Sequence, residues 1–273
     1  IVRTRLSFGE RRITVEIQLN RQGANRAQIN GAVTKARELP RYLQTVLFAP
    51  EDLNIVRGDP GARRRFVDGL LVQRSPRMAG VIADYERVLR QRTTLLKSAR
   101  ARGVRADSLG TLDIWDDKLV TLGSQIIDAR AALTADLAAP VAAAYAAIAA
   151  EDHEPRLEWA LSVSGNAVDE DGEGAASTSA DFSAAGEASN RADGRIDTAA
   201  QFRVALAQRR AAEFERGITL VGPHRDDLVL RVRGLPVKGY ASHGESWSFA
   251  LALRLGSAEL LRAESNAGDP VLI

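Results

Sequence analysis

Ala241-Ser242-His243-Gly244-Glu245-Ser246-Trp247-Ser248 is a short polar run directly before a strong helical pattern, Phe249 to Arg262. Ser242 or Ser246 can cap the first helical turn, and Glu245 suits the positive end of the helix dipole. The N–H groups of a first turn have no acceptor within the helix, so such an end can bind an anion, above all a phosphate. Gly244 would let a phosphate approach the backbone closely. Serine and glycine before a helix more often form only a cap, so the stretch alone leaves both interpretations open.

The composition limits the classes of function. The chain has 273 residues, is 45% hydrophobic and carries a net charge of +2, which fits one or two domains with a real core. The absence of cysteine excludes disulfides, zinc–thiolate sites and thiol catalysis, and it suits a reducing cytoplasm. Three scattered histidines predict no histidine-rich metal site. We find no secretory signal and no apolar run long enough for a bilayer, so we expect a cytoplasmic protein without a membrane partner.

Both ends of the sequence indicate a fragment. The opening residues already alternate as a strand, and Val271-Leu272-Ile273 reads as the start of a buried strand. Natural domains rarely end on three bare apolar residues. We therefore expect missing material on both sides.

Three domain segments are predicted. Residues 1–74 begin with antiparallel strands up to residue 30, which we interpret as a functionally silent scaffold. Residues 75–152 form a helical arm, two long helices joined near Gly103, with the second helix broken near Pro140. Residues 153–273 return to the body and contain a flexible insertion at 165–195, rich in Ala, Ser, Gly, Asp and Glu.

The second informative stretch runs from Pro50-Glu51-Asp52 to Arg63-Arg64-Arg65-Phe66-Val67-Asp68. Asp59 and Pro60 suit the N-cap and first position of a helix. Three arginines lie near the start of that helix, where the positive end of the helix dipole makes their charge unfavourable. Contacts with phosphates or carboxylates would offset this repulsion. A solvated basic turn paired with neighbouring acids explains the same pattern.

The third stretch is Gly222-Pro223-His224-Arg225-Asp226-Asp227, predicted as a tight turn between the strands Ile218–Val221 and Leu228–Val232. The dense group His224, Arg225, Asp226 and Asp227 is a candidate site. The alternative is that the aspartates cap the turn and Arg225 pairs with one of them.

The second and third stretches, followed by Ser242-His243-Gly244-Glu245, resemble the RecF recombination and repair family in the same order along the chain. The resemblance covers essentially the whole chain apart from the insertion. It implies an α/β fold of mixed α+β content, an ABC/SMC-type ATPase head with an inserted helical-hairpin arm. It also implies ATP and Mg²⁺ as cofactors and a cytoplasmic role in DNA repair, DNA replication and the SOS response.

The family's phosphate-binding loop and catalytic acids are not found in this sequence. No G-x-x-x-x-G-K-[ST] occurs, and the acids would follow Val271-Leu272-Ile273. The resemblance therefore assigns no catalytic residue here, and ATP hydrolysis by this chain stays open. An alternative is a truncated, catalytically incompetent interaction or structural fragment.

In ABC-type ATPases two heads sandwich the nucleotide. By resemblance, Ser242 and Gly244 would contact the γ-phosphate held by a second head in an ATP-dependent homodimer, with His243 and Glu245 beside them as part of the same ATP-binding motif. Glu51 and Asp52 are candidates for the loop that senses the nucleotide.

The family also implies binding to double-stranded DNA and duplex/single-strand junctions, with RecR and RecO as partners. The candidate phosphate contacts are Arg63, Arg64, Arg65, Arg90, Arg92 and Lys97. An SMC-like chromosome organiser is disfavoured because the arm is too short for a long coiled coil.

Overall fold

The computed structural model describes residues 1–8, 10–103, 110–149, 153–165, 197–264 and 269–273. The strands are β1 Val2–Phe8, β2 Arg11–Gln18, β3 Arg26–Ile29, β4 Ala32–Thr34, β5 Thr45–Val46, β6 Arg156–Ala160, β7 Asp227–Val232, β8 Leu235–Pro236 and β9 Val271–Leu272. The helices are α1 Leu53–Arg57, α2 Pro60–Arg74, α3 Met78–Ala101, α4 Gly110–Ala149, α5 Thr198–Arg216, α6 Val237–Tyr240 and α7 His243–Glu264. The predicted insertion lies outside the described residues, apart from Gly165.

The first four strands form an antiparallel meander in the order β1-β2-β3-β4. Alternation along β2 turns Val15 inward, and Ala27 of β3 is buried beside it. The predicted antiparallel strands at the start of the chain are therefore confirmed.

Strand β5 pairs in parallel with β9, with Thr45 opposite Val271 and Val46 opposite Leu272. The Val271 N–H donates to the Gln44 carbonyl at 3.0 Å, and the Phe48 N–H donates to the Ile273 carbonyl at 2.9 Å. The apolar run at the end of the sequence forms a strand, as expected, and it lies beside the segment that leads into Pro50-Glu51-Asp52. The expectation that it is buried is wrong, because Val271, Leu272 and Ile273 are all exposed.

Two helix boundaries differ from the expectation. Helix α7 begins at His243, six residues before Phe249, so the polar run forms its first turns. Helix α4 continues unbroken through Pro140. Leu137, Val141 and Tyr145 on either side of the proline are buried, and this packing offsets the lost backbone hydrogen bond.

Helix α4 also corrects the expectation that no apolar run could span a bilayer. Its Thr111–Ala149 stretch contains a window with the length and composition of a membrane span, and 28% of that window is buried. Alanines raise the hydropathy there without bulky side chains, so a search for large apolar residues overlooks it. Core helices of globular proteins meet the same criterion, which makes it weak evidence for a membrane.

The predicted strand Ile218–Val221 is wrong. These residues follow α5 as irregular backbone, and the Leu220 N–H donates to a carboxylate oxygen of Glu213 at 2.8 Å instead of to a neighbouring strand. The caps of α5 are as predicted: Asp197 accepts from the N–H groups of Ala199 and Ala200 at 3.1 Å, and Gly217 ends the helix at φ +70°.

The chain forms two compact units. Unit 1 comprises residues 1–84, 129–159 and 228–273, and unit 2 comprises residues 85–128 and 160–227. The division runs through α3 and α4, so each of these helices contributes to both units. The boundaries at 74 and 152 stay a prediction.

Candidate functional site

The amino-terminal tip of α7 is built as a reciprocal capping box. The Ser242 hydroxyl accepts from the Glu245 N–H at 3.2 Å, and a Glu245 carboxylate oxygen accepts from the Ser242 N–H at 2.8 Å. A serine followed three residues later by a glutamate is the sequence pattern for this arrangement. Ser242, rather than Ser246, therefore caps the helix.

The tip presents its remaining backbone donors to solvent. The capping box occupies the N–H groups of Ser242 and Glu245, whereas those of His243 and Gly244 have no acceptor one turn earlier in the helix. Ser242, His243 and Gly244 are all exposed. A Cβ atom built on Gly244 meets no heavy atom within 4 Å, so the space in front of the backbone is open. This geometry suits an anion.

Glu245 is held as a carboxylate. Its hydrogen bonds with Ser242 lower its pKa below the ordinary value against the opposing effect of burial, and the positive charge of Arg233 adds to the lowering. An Arg233 guanidinium nitrogen donates to the Glu245 carboxylate at 2.9 Å. This pairing offsets the negative charge at the tip, which would otherwise repel a phosphate.

The base of the tip is fixed by buried contacts within unit 1. The fully buried Ser246 hydroxyl donates to the Ser242 carbonyl at 2.8 Å and accepts from the Arg57 guanidinium at 3.0 Å. The Trp247 indole N–H donates to the His243 ring at 2.9 Å, and Phe48 packs edge-on against Trp247 at 5.9 Å between ring centroids. The tip is therefore positioned before any ligand binds.

Asp52 of the predicted sensing loop is attached to the same helix. Asp52 is buried, at 7% exposed. Its carboxylate accepts from Arg254 of α7 at 2.5 and 3.0 Å and from the Ala49 N–H at 3.0 Å, which caps the short turn. Glu51 is exposed and lines a pocket of about 380 Å³ together with Arg65 and Gln73. The structure thus links the loop to α7 through Asp52 and leaves Glu51 facing an open space.

The polar turn in unit 2 is a buried hydrogen-bond network. Asp226 is fully buried and accepts from the Ser162 N–H and hydroxyl, each at 2.8 Å. His224 lies between two partners, the Tyr85 hydroxyl at 2.7 Å from Nδ1 and the Thr219 carbonyl at 3.2 Å from Nε2. Arg225 also donates to that carbonyl, at 3.3 Å, and Asp227 is 7% exposed. These contacts tie the turn to Ser162, Tyr85 and Thr219, partners that neither interpretation of the sequence named, and a functional role for the four residues stays a prediction.

Two of the proposed DNA contacts are corrected by their burial. Arg63 is 4% exposed and donates to the Gly58 carbonyl at 2.9 Å. Arg92 is fully buried, with Asp116 and Glu213 each at 2.6 Å. Neither guanidinium lies where a duplex could reach it. Helical periodicity alone does not reveal the partners that the fold brings to these positions, a backbone carbonyl for Arg63 and two carboxylates for Arg92.

The other candidates lie at or near the surface. Arg65, Arg90 and Lys97 are exposed, and Arg64 is partly buried. Arg90 is 3.8 Å from Glu86, one helical turn earlier. These four residues remain predicted contacts to DNA phosphates.

Comparison with known proteins supplies the family. No protein-family model matches the chain. The chain is 59% identical over 274 residues to the DNA replication and repair protein RecF of Leifsonia xyli subsp. xyli, covering all of this chain and 68% of the relative. The chain belongs to the RecF family. It is also 56% identical to the RecF of Clavibacter sepedonicus and 49% identical to that of Kineococcus radiotolerans, covering 65% and 66% of their lengths.

Solved structures confirm the predicted fold of this RecF-family chain. A structure of the recombination mediator protein RecF-ATPrS in the RecFOR pathway superimposes with a TM-score of 0.79 at 22% identity, covering 99% of this chain and 65% of that one. A RecF-ATP structure gives a TM-score of 0.77 at 22% identity, covering 96% of this chain and 62% of that one. The chain thus spans about two thirds of the length of its relatives.

Sequence reasoning missed the residues that hold the tip in place. Arg57, Arg233 and Arg254 contact Ser246, Glu245 and Asp52 respectively. The signal for Arg254 was present: an arginine between Leu253 and Leu255 in an apolar helix needs a carboxylate partner. Arg57 and Arg233 lie in separate segments, and sequence spacing does not reveal such contacts.

We expect Glu245→Ala to lower the free energy of unfolding by about 1 kcal/mol at neutral pH, because the capping box is lost. Since the folded-state pKa of Glu245 is lowered, its stabilisation is present above the unfolded-state pKa and is lost as pH falls through the folded-state pKa. Urea denaturation of both proteins should show the difference shrinking below about pH 4. Glu245→Gln is the control, since glutamine keeps the box; an equal loss would show that charge, not capping, matters.

Proposed function

We propose that this chain is the part of a RecF-type, ATP-dependent DNA clamp that reads ATP across a dimer, in recombinational repair and replication-gap processing. The single observation that carries the nucleotide role is the α7 tip, a capped and exposed helix end with backbone donors facing open space. The DNA role rests on the family, whose named members are DNA replication and repair proteins.

The tip binds the γ-phosphate of ATP held by a second head. The N–H groups of His243 and Gly244 and the Ser242 hydroxyl supply donors, and the helix dipole adds a positive potential. The Glu245 carboxylate accepts a hydrogen bond from the Ser242 N–H and pairs with Arg233, so it positions the tip while the arginine offsets its charge. ATP then joins two heads, and loss of the γ-phosphate on hydrolysis releases them.

The residues of this chain fit the nucleotide's phosphate rather than its metal. Among the described residues, no group of three or more histidine, aspartate or glutamate side chains is arranged for a metal ion. In the family that this chain belongs to, Mg²⁺ and the rest of the nucleotide would be held by the phosphate-binding loop and the catalytic acids, neither of which occurs in this sequence. The ion would offset the charge of the phosphates.

The proposed partners are double-stranded DNA, duplex/single-strand junctions, and RecR and RecO. Arg64, Arg65, Arg90 and Lys97 are the proposed phosphate contacts from the sequence. A cytoplasmic location and a part in the SOS response follow from the same family role.

Ser242→Arg tests the proposal in a full-length RecF-family protein that carries this chain. We expect it to abolish ATP-driven dimerisation in sedimentation velocity, while a single head still binds ATP, because arginine fills the space in front of the tip. Ser248→Arg, at a partly buried position six residues further along α7, is the comparison for a general effect of a new arginine on this helix. Dimerisation that survives Ser242→Arg would remove the tip from the interface.

A further inference from the structure

The outward face of the β1–β4 meander is arginine-rich, a feature that the strand register establishes. Arg3 lies opposite Glu16, Ser7 opposite Arg12, and Gln18 opposite Arg26. Directly opposite residues share a face, and alternate residues along one strand do so too. Arg3, Arg5, Arg12 and Arg26 therefore stand on one side of the sheet, which we call the arginine face.

The opposite side of the sheet fixes this orientation. Val15 and Ala27 point to that side and are 5% and 1% exposed. A one-residue slip of register would bring the arginines into the core, which burial makes unfavourable. The arginine face is thus held toward solvent by the same pairing that packs the core.

The charge on the arginine face is largely uncompensated. Glu16 is the single carboxylate that the register places there, and Arg3 contacts it at 2.6 and 2.7 Å. Arg5, Arg12 and Arg26 are exposed and form no ion pair among the described residues. Four arginines and one glutamate leave a net charge of three positive, on a chain whose total is only +2.

The spacing makes the face an extended array rather than one cluster. Arg5 and Arg12 are diagonal neighbours on paired strands, about 7–8 Å apart by antiparallel geometry. Arg26 lies opposite Gln18, six residues along β2 from Arg12, which is roughly 20 Å at the rise of a strand. Short polar side chains, among them Ser7, Thr14 and Gln28, lie between the arginines and add hydrogen-bonding groups.

We propose that the arginine face binds the phosphate backbone of a nucleic-acid duplex without reading its sequence. Guanidinium groups form bidentate hydrogen bonds to phosphate, and hydroxyl and amide side chains make the other common backbone contacts. The face carries no aromatic side chain and one large apolar one, Val33, so it lacks the anchors typical of a protein interface. The inference rests on the proposed DNA function and adds a binding surface to a region that the sequence alone identified only as scaffold.

The test is duplex binding by the full-length protein, measured by fluorescence anisotropy between 50 and 300 mM salt. We expect Arg5→Gln, Arg12→Gln and Arg26→Gln together to reduce the slope of log K against log salt by about 2–3, and to weaken binding about tenfold or more near 150 mM salt. The loss should be equal on unrelated duplex sequences. Arg77→Gln, Arg102→Gln and Arg209→Gln form the control, since they remove three exposed arginines elsewhere with the same change in net charge.

Glu16→Gln gives a result that misfolding cannot imitate. It removes the one carboxylate from the face and releases Arg3, so we expect tighter duplex binding, by several-fold, with a steeper salt slope. An unchanged salt slope in the triple variant, or an equal loss of duplex affinity in the control, would overturn the inference. If the triple variant instead lost only the binding of an acidic protein partner, the arginine face would be assigned to that partner. If the unmodified protein binds no duplex, the proposed DNA function itself fails.

Discussion

Gly244→Gln in a full-length RecF-family protein carrying this chain should weaken ATP-dependent self-association by about 100-fold or more. A side chain at this position enters the space in front of the α7 tip, where the second head's phosphate is proposed to lie. The glutamine side chain would keep the phosphate away from the N–H groups of His243 and Gly244 together, and loss of a single oxyanion donor in an enzyme already costs about two to three powers of ten in rate. Sedimentation equilibrium with and without ATP measures the association constant directly.

The same substitution should leave the isolated head intact. No heavy atom lies within 4 Å of the Cβ position at Gly244, and glutamine is a better helix former than glycine, so the free energy of unfolding should stay equal or rise slightly. Leu255→Gln, at a 40%-exposed position three turns further along α7, should leave association unchanged. If Gly244→Gln lowers the stability of the head, the loss of association would no longer report on the shared phosphate.

Arg92→Met should lower the free energy of unfolding by about 3–5 kcal/mol, because it leaves a buried carboxylate without its cation. Arg92 donates to Glu213 and Asp116 at 2.6 Å each and to the Thr219 hydroxyl at 3.0 Å. Glu213 is fully buried and its second oxygen accepts from the Leu220 N–H. The network joins α3, α4, α5 and the segment after α5 within unit 2.

The pH dependence of this loss has a definite sign. Burial raises the pKa of Glu213, and without Arg92 the positive charge that opposes that rise is gone, which leaves the hydrogen bond from the Leu220 N–H. A group with a raised folded-state pKa contributes its stability below the unfolded-state pKa and loses it as pH increases. In urea denaturation, the free energies of unfolding of Arg92→Met and of the unmodified chain should therefore differ less at pH 5 than at pH 7.

Arg90→Met is the matched control for Arg92→Met. Arg90 lies on the same helix, its side chain is 67% exposed, and its contact with Glu86 is 3.8 Å long, so its removal should change stability by less than about 0.5 kcal/mol. Adding Glu213→Gln to Arg92→Met should recover part of the loss, since the amide carries no charge. Equal effects at Arg90 and Arg92 would show that the buried network is not the source of the stability.

Local sequence patterns predicted the elements whose signals are local. The alternation along β2, the caps Asp197 and Gly217 of α5, and Ser242 with Glu245 all involve residues within a few positions of each other. Such patterns fix backbone geometry without knowledge of the rest of the fold. The tip of α7 could therefore be predicted as a capped helix end from eight residues.

The errors came from side-chain contacts that a local pattern does not show. Arg92 was predicted as a DNA phosphate contact, yet Asp116 and Glu213 reach it from other helices, 24 and 121 residues away. The strand predicted at Ile218–Val221 is wrong for a nearer reason, since the Leu220 N–H donates to Glu213, seven residues earlier in the chain. In both cases a side-chain contact overrides a local preference.

The most direct measurement mixes two defective full-length variants. One carries Gly244→Gln, and the other has a substituted lysine in the phosphate-binding loop of the family, so that it cannot hold ATP. If the tip acts on a phosphate held by its partner, a mixed pair contains one intact composite site, and ATP should restore association that neither variant shows alone. If the tip acts within its own head, both sites of the mixed pair stay defective, and the absence of any restored association would contradict the account.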